Sequence, residues 1–159
     1  MGTTTFTGPI RAGDVLNTTG DSVGSIANVG YVVMAQSAIV TQAASTGQSA
    51  GVYKTDIVIP ADSQILSISI NKTAAWSGAA STINVGTNAT ATQLAVAADN
   101  DLTTTVGPQA IVCGDNATRA GVWKDVGTSD VQIWTKSTNT GTGAGVITVT
   151  YLQAINLTA

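Results

Sequence analysis

The 159-residue chain contains no histidine and no glutamate, a single cysteine (Cys113) and only six basic residues. Without histidine or glutamate, the groups that carry most general acid–base catalysis shrink to nine scattered aspartates. One cysteine excludes an internal disulfide, and its place after Ile111 and Val112 reads as a buried, inert thiol. A net charge of −3 and a pI near 4.4 leave no electrostatic footprint for nucleic acid or for an anionic membrane surface. No stretch approaches the ~18 consecutive apolar residues of a membrane span. Residues 1–6 lack the positive and apolar regions of a secretory signal, so the expectation is synthesis in a cytoplasm and use without export. Gly2 alone is a weak myristoylation signal, and the Thr run at 3–5 points to an extended segment instead.

Charge of either sign is scarce. Charged residues make up 9% of the chain, against roughly 25% in ordinary soluble domains. So few charges give weak protection against association, which implies that much of the surface is covered by partners. What the chain has in abundance is Thr, Val, Ala, Ile and Gly, while long straight-chain helix formers are few. That balance builds sheets, and it suits a structural part better than a catalyst.

Residues 1–27 carry isolated apolar positions at Phe6, Ile10, Val15, Leu16, Val23 and Ile26 among Thr, Gly, Asp and Asn. Spacing this sparse builds no core, so the reading is an extended N-terminal arm that orders on a partner surface, with Phe6, Ile10 and Ile26 filling its pockets. Residues 28–51 read as a strand of one or two pieces (29–42) followed by a small-residue linker. From 52 to 159 short strands succeed one another. Tyr53, Thr55, Ile57 and Ile59 share one face, and the turn formers Pro60–Ser63 follow. Leu66, Ile68 and Ile70 alternate with Ser67 and Ser69, and Ile147, Val149 and Tyr151 alternate with Thr148 and Thr150. Further strands are expected at 82–86, 109–113, 122–126 and 131–136. Between 89 and 102 the spacing shifts to a short helix or irregular crossover. The Gly-rich connection 137–145 reads as a flexible or partner-shaped loop. The sum is an all-β fold, a jelly-roll-like β-sandwich with an extended arm.

Candidate sites are thin. Asp99-Asn100-Asp101 with Asp115-Asn116 offers oxygen ligands, but Ca²⁺ needs six to eight from several segments, so solvated turns are the plainer reading. No aspartate pair sits in a glycosidase motif. A serine nucleophile has no histidine, and Lys136 beside Ser137 is the one alternative. Trp76, Trp123 and Trp134 read as core or interface anchors, with sugar stacking as the rival. No cofactor, metal site or enzymatic activity is expected.

The stretch 56–70 (DIVIPADSQILSISI), with 81–87 (STINVGT) and 140–151 (TGTGAGVITVTY), resembles small structural proteins of tailed phages. Residues 5–13 (TFTGPIRAG) and 28–36 (NVGYVVMAQ) are similar to head-associated proteins of marine and cyanobacterial podophages. The resemblance implies a virion part of the capsid decoration or cement type. It would bind the major capsid protein on the outer surface, with a homotrimer favoured. A head fibre, knob or tail component, or a carbohydrate-binding adhesin module, would share the composition.

Overall fold

The computed structural model describes residues 11–19, 22–31, 33–78, 81–102 and 105–153, with side chains from 33 onward. Arg11–Thr19 (β1) and Ser22–Tyr31 (β2) pair with each other as an antiparallel hairpin that belongs to neither of the two larger sheets. The segment expected as a single extended arm is therefore a hairpin over its described residues, and it continues past 27 to Tyr31.

The sandwich begins at Val33, not at 52. Val33–Thr41 (β3) pairs along its whole length with Ala144–Leu152 (β9), which pairs in turn with Gln64–Ala74 (β5), and β5 with Gly107–Ile111 (β7). The second sheet has the order Val52–Ile59 (β4), Val131–Ser137 (β8), Ile83–Gly86 (β6). All pairs are antiparallel, and consecutive strands from β3 to β9 fall alternately in one sheet and the other. Residues 28–51 read as a strand and linker outside the sandwich because the small-residue stretch 43–51 separates 29–42 from the later strands; pairing of β3 with β9 instead puts this strand in the sandwich, with Val40 and Gln42 at 0% exposure.

The core between the sheets is built from the β-branched residues whose alternation defined the strands. Ile57 and Ile59 from β4, Ile68 and Ile70 from β5, Ile133 from β8, and Ile147 and Val149 from β9 are all essentially inaccessible. Burying each such side chain contributes about 1.5–3 kcal/mol relative to exposure. One expected core residue is displaced. A bulge between Ile65 and Ser67 turns Ile65 inward and leaves Leu66 exposed, because one extra residue shifts the alternation by half a period.

Of the two forms expected for 89–102, the irregular crossover is the one present, with a 3₁₀ turn at Ala97–Asp99. One further expectation changes: 122–126 is no strand. Ala117–Lys124 forms α1, started by Asn116, whose side chain accepts the Arg119 N–H at 3.0 Å. The connection 137–145 crosses between sheets and is packed down: a Cβ on Gly143 would lie 2.8 Å from the Trp76 ring.

Candidate functional site

The residues that offered chemistry in the sequence are engaged in holding the fold. Trp76 is 1% exposed and its indole N–H donates to Ser137 Oγ at 3.0 Å, so Ser137 is a buried acceptor and not a nucleophile beside Lys136. The Trp123 indole N–H donates to the Leu94 carbonyl at 2.9 Å. Lys54 lies over the Trp134 ring, 5.4 Å from its centroid, a cation–π contact on the outer face of the second sheet. Trp76 and Trp123 are thus committed within the chain, while Trp134 lies half-buried on an outer face.

The aspartate-rich turns are equally occupied. Asp99 forms a 2.9 Å ion pair with Arg119, whose Nε–H donates to the Cys113 carbonyl. With both partners partly exposed, such a pair contributes at most about 1 kcal/mol. Among the described residues no group of three acidic or thiol side chains converges on a metal-sized space. Cys113 itself is half-buried, with Sγ toward the Gly114 carbonyl. An open cleft of about 420 Å³ lies between α1 and the 92–96 loop, lined by Thr92, Gln93, Val96, Asn116, Arg119 and Val122. Its polar walls are spent on structure: Gln93 Oε1 accepts the Thr87 N–H at 3.1 Å, and Asn116 caps α1.

Three side-chain amides, of which the sequence drew attention only to Asn100, and then as an oxygen ligand, have a common function. Gln36 donates to the Val58 carbonyl at 2.6 Å and accepts the Val58 N–H at 3.2 Å. Gln42 does the same to Ser77, at 2.6 and 2.9 Å, and also accepts the Gly143 N–H at 3.2 Å. Asn100 bonds the Val112 carbonyl and N–H at 2.9 and 2.7 Å. Each amide offers a donor and an acceptor side by side, as a neighbouring strand does, and so satisfies backbone groups where the sheets have no further strand. The Gln36 bonds join the edge strands β3 and β4 across the two sheets.

The outer faces of the two sheets differ. The β4-β8-β6 face presents Lys54, Asp56, Trp134 and Lys136. In the four strands of the other sheet the sole charged residue is Lys72, which is 4% exposed and donates to Gln109 Oε1 at 2.8 Å. That sheet and its immediate extension carry exposed Val33 (56%), Ile39 (67%), Leu66 (43%) and Val112 (47%). Of the residues expected to bind a partner through the arm, Phe6 and Ile10 lie outside the described residues. Ile26 sits in β2, with its side chain outside them.

No protein-family model matches the chain. No curated protein matches it either. Among solved structures, a chain of the cyanophage Pam1 capsid asymmetric unit is similar, with a TM-score of 0.52 and 17% sequence identity. The superposition covers 86% of this chain and 93% of that one.

Proposed function

We propose that this chain is a non-enzymatic virion structural protein that binds the outside of a phage capsid and cements neighbouring capsomers. The observation that carries the reading is the fold likeness to a chain of a cyanophage capsid asymmetric unit, which spans nearly the full length of both. The composition supports it independently, since a chain with 9% charged residues suits a surface that is mostly covered. The chemistry of the sandwich supports it too: Trp76, Trp123, Ser137 and the Asp99–Arg119 pair serve packing and hydrogen bonding within the chain.

We read the sandwich as a jelly roll. Its orders β3-β9-β5-β7 and β4-β8-β6 follow from consecutive strands crossing between sheets. The eighth strand of that plan is reduced to two isolated bridges, Thr82↔Asp101 and Val85↔Ala95, on the free edge of β6. The N-terminal segment is the docking element in this account, with Phe6, Ile10 and Ile26 as its anchors on the major capsid protein or a neighbouring copy. A lone hairpin is marginal in water, so β1 and β2 gain by packing on another surface. A protein that binds only the assembled shell stabilises it by mass action, and many copies add avidity.

Add-back to particles lacking the protein tests this. Full-length chain should bind their outer surface and raise the temperature at which they release DNA. Chain lacking residues 1–27 should bind at least tenfold less. Equal binding by both would remove the arm from the account, and no binding by either would refute the capsid reading.

A further inference from the structure

The uncharged face of the β3-β9-β5-β7 sheet is laid out to meet itself. We infer that it is an interface between two copies of this chain, sheet face to sheet face, formed whether or not a capsid is present. Charge points to a second copy. A two-fold interface sets side chains on its axis against their own copies, so any charge close to the axis faces a like charge. Every outward position on these four strands is neutral, whereas the opposite sheet keeps Lys54, Asp56 and Lys136.

The relief of the face is also suited to a second copy. Along β3 and β9 the outward side chains form cross-strand rows fixed by the register. The middle row is Ser37 with Thr148, whose hydroxyls bond each other at 2.8 Å. On one side of it Ile39 pairs with Val146, and on the other Ala35 pairs with Thr150. The outermost rows are Thr41 with Ala144, and Val33 with Leu152. Place a two-fold axis in the interface plane, crossing the strands at the Ser37–Thr148 row. Ile39 and Val146 of one copy then meet Ala35 and Thr150 of the other. Val33 and Leu152 likewise meet Thr41 and Ala144. Ile39 then faces Ala35 and Leu152 faces Ala144, large against small as interdigitating layers require, while Val146 faces Thr150 and Val33 faces Thr41, pairs of nearly equal size. The middle row meets itself, and hydroxyls, being donor and acceptor at once, are their own complement.

The area is sufficient as well. Strands about 4.8 Å apart and five rows about 6.8 Å apart cover roughly 500–600 Å² on each copy. Together that is about 1,000–1,200 Å², at the lower end of specific interfaces, and fits a weak dimer.

Sedimentation velocity of the full chain alone, without particles, tests the proposal, so it can fail while the capsid reading stands. The wild type should be dimeric at ~100 µM. Ser37→Glu and Ser37→Lys should each shift the equilibrium at least tenfold toward monomer, because the substituted row faces its own copy. Their melting temperatures should stay near that of the corresponding wild-type monomer at low concentration, since Ser37 is exposed. An equimolar mixture of the two variants should recover the dimer through opposite charges across the axis. A monomeric wild type, an assembly indifferent to both substitutions, or a mixture that stays monomeric would each overturn the inference. Loss of particle binding by these variants from a monomeric wild type would assign the face to another protein instead.

Discussion

Gln36 and Val58, 22 residues apart, are paired as if one were a strand beside the other: the carboxamide takes both the carbonyl and the N–H of Val58. Gln36 also donates to the Tyr151 hydroxyl at 2.8 Å, which ties the β3 edge to the core residue beside it. The sandwich is thus closed on this side by one neutral side chain and not by an ion pair.

Gln36→Ala should lower the unfolding free energy by about 0.5–1.5 kcal/mol, the net worth of a hydrogen bond, because Val58 is exposed and water can take over its backbone groups. Gln42→Leu should cost about 3 kcal/mol or more, because Gln42 is fully buried and serves Ser77 and Gly143 together. Urea denaturation of both variants checks the order. Equal, negligible losses would show that these amides are incidental.

Gly143 and Trp76 form a second coupled pair. Gly143→Ala places a methyl 2.8 Å from the buried ring and should destabilise by about 1–3 kcal/mol. In a Trp76→Leu background the clash with the ring is relieved while the 2.9 Å approach to the Cα of residue 76 stays, so the same substitution should cost less but not nothing, and a double-mutant cycle should give a coupling energy. Additive losses would mean that Gly143 is needed for some other reason.

Asn116→Ala should cost about 1 kcal/mol by removing the cap of α1, read as a lower thermal midpoint. Asp99→Asn should cost less, because its ion pair with Arg119 is partly exposed. A larger loss from Asp99→Asn than from Asn116→Ala would contradict this ranking.

No hydrolase or transferase activity is expected of this chain. The check is incubation with a glycan panel at high protein concentration. Turnover abolished by a single Asp→Asn substitution would overturn the expectation.

How much of this was legible follows from what alternation can and cannot encode. β4 runs from Val52 to Ile59 as the alternation implied, and Ile147, Val149 and Tyr151 in β9 all point inward. A period-two pattern reports burial directly, provided that the strand is regular. Leu66 broke the rule because a bulge leaves no mark in residue type. α1 spans only eight residues, too few for a helical period to show against Val122 and Trp123, although Asn116 followed by Ala-Thr-Arg-Ala was an available start signal. The role of the three amides was illegible for another reason: their partners lie 22, 35 and 12 residues away. The one hint was Gln36 itself, a polar residue between Met34 and Ala38 on the inward side of an apolar run.

The arm carries the most exposed claim about stability. Removing residues 1–27 should leave the sandwich folded, with a melting temperature within a few degrees of the full chain, since the sheets from Val33 onward contain the buried core. Failure of the truncated protein to fold would make the arm part of the core.

The central claim, a capsid-surface protein, is tested most directly by counting. Quantitative gel analysis of purified virions should find this chain at a fixed, simple ratio to the major capsid protein, and surface labelling of intact particles should reach it. A handful of copies per particle, or recovery only with detached tails, would contradict the account.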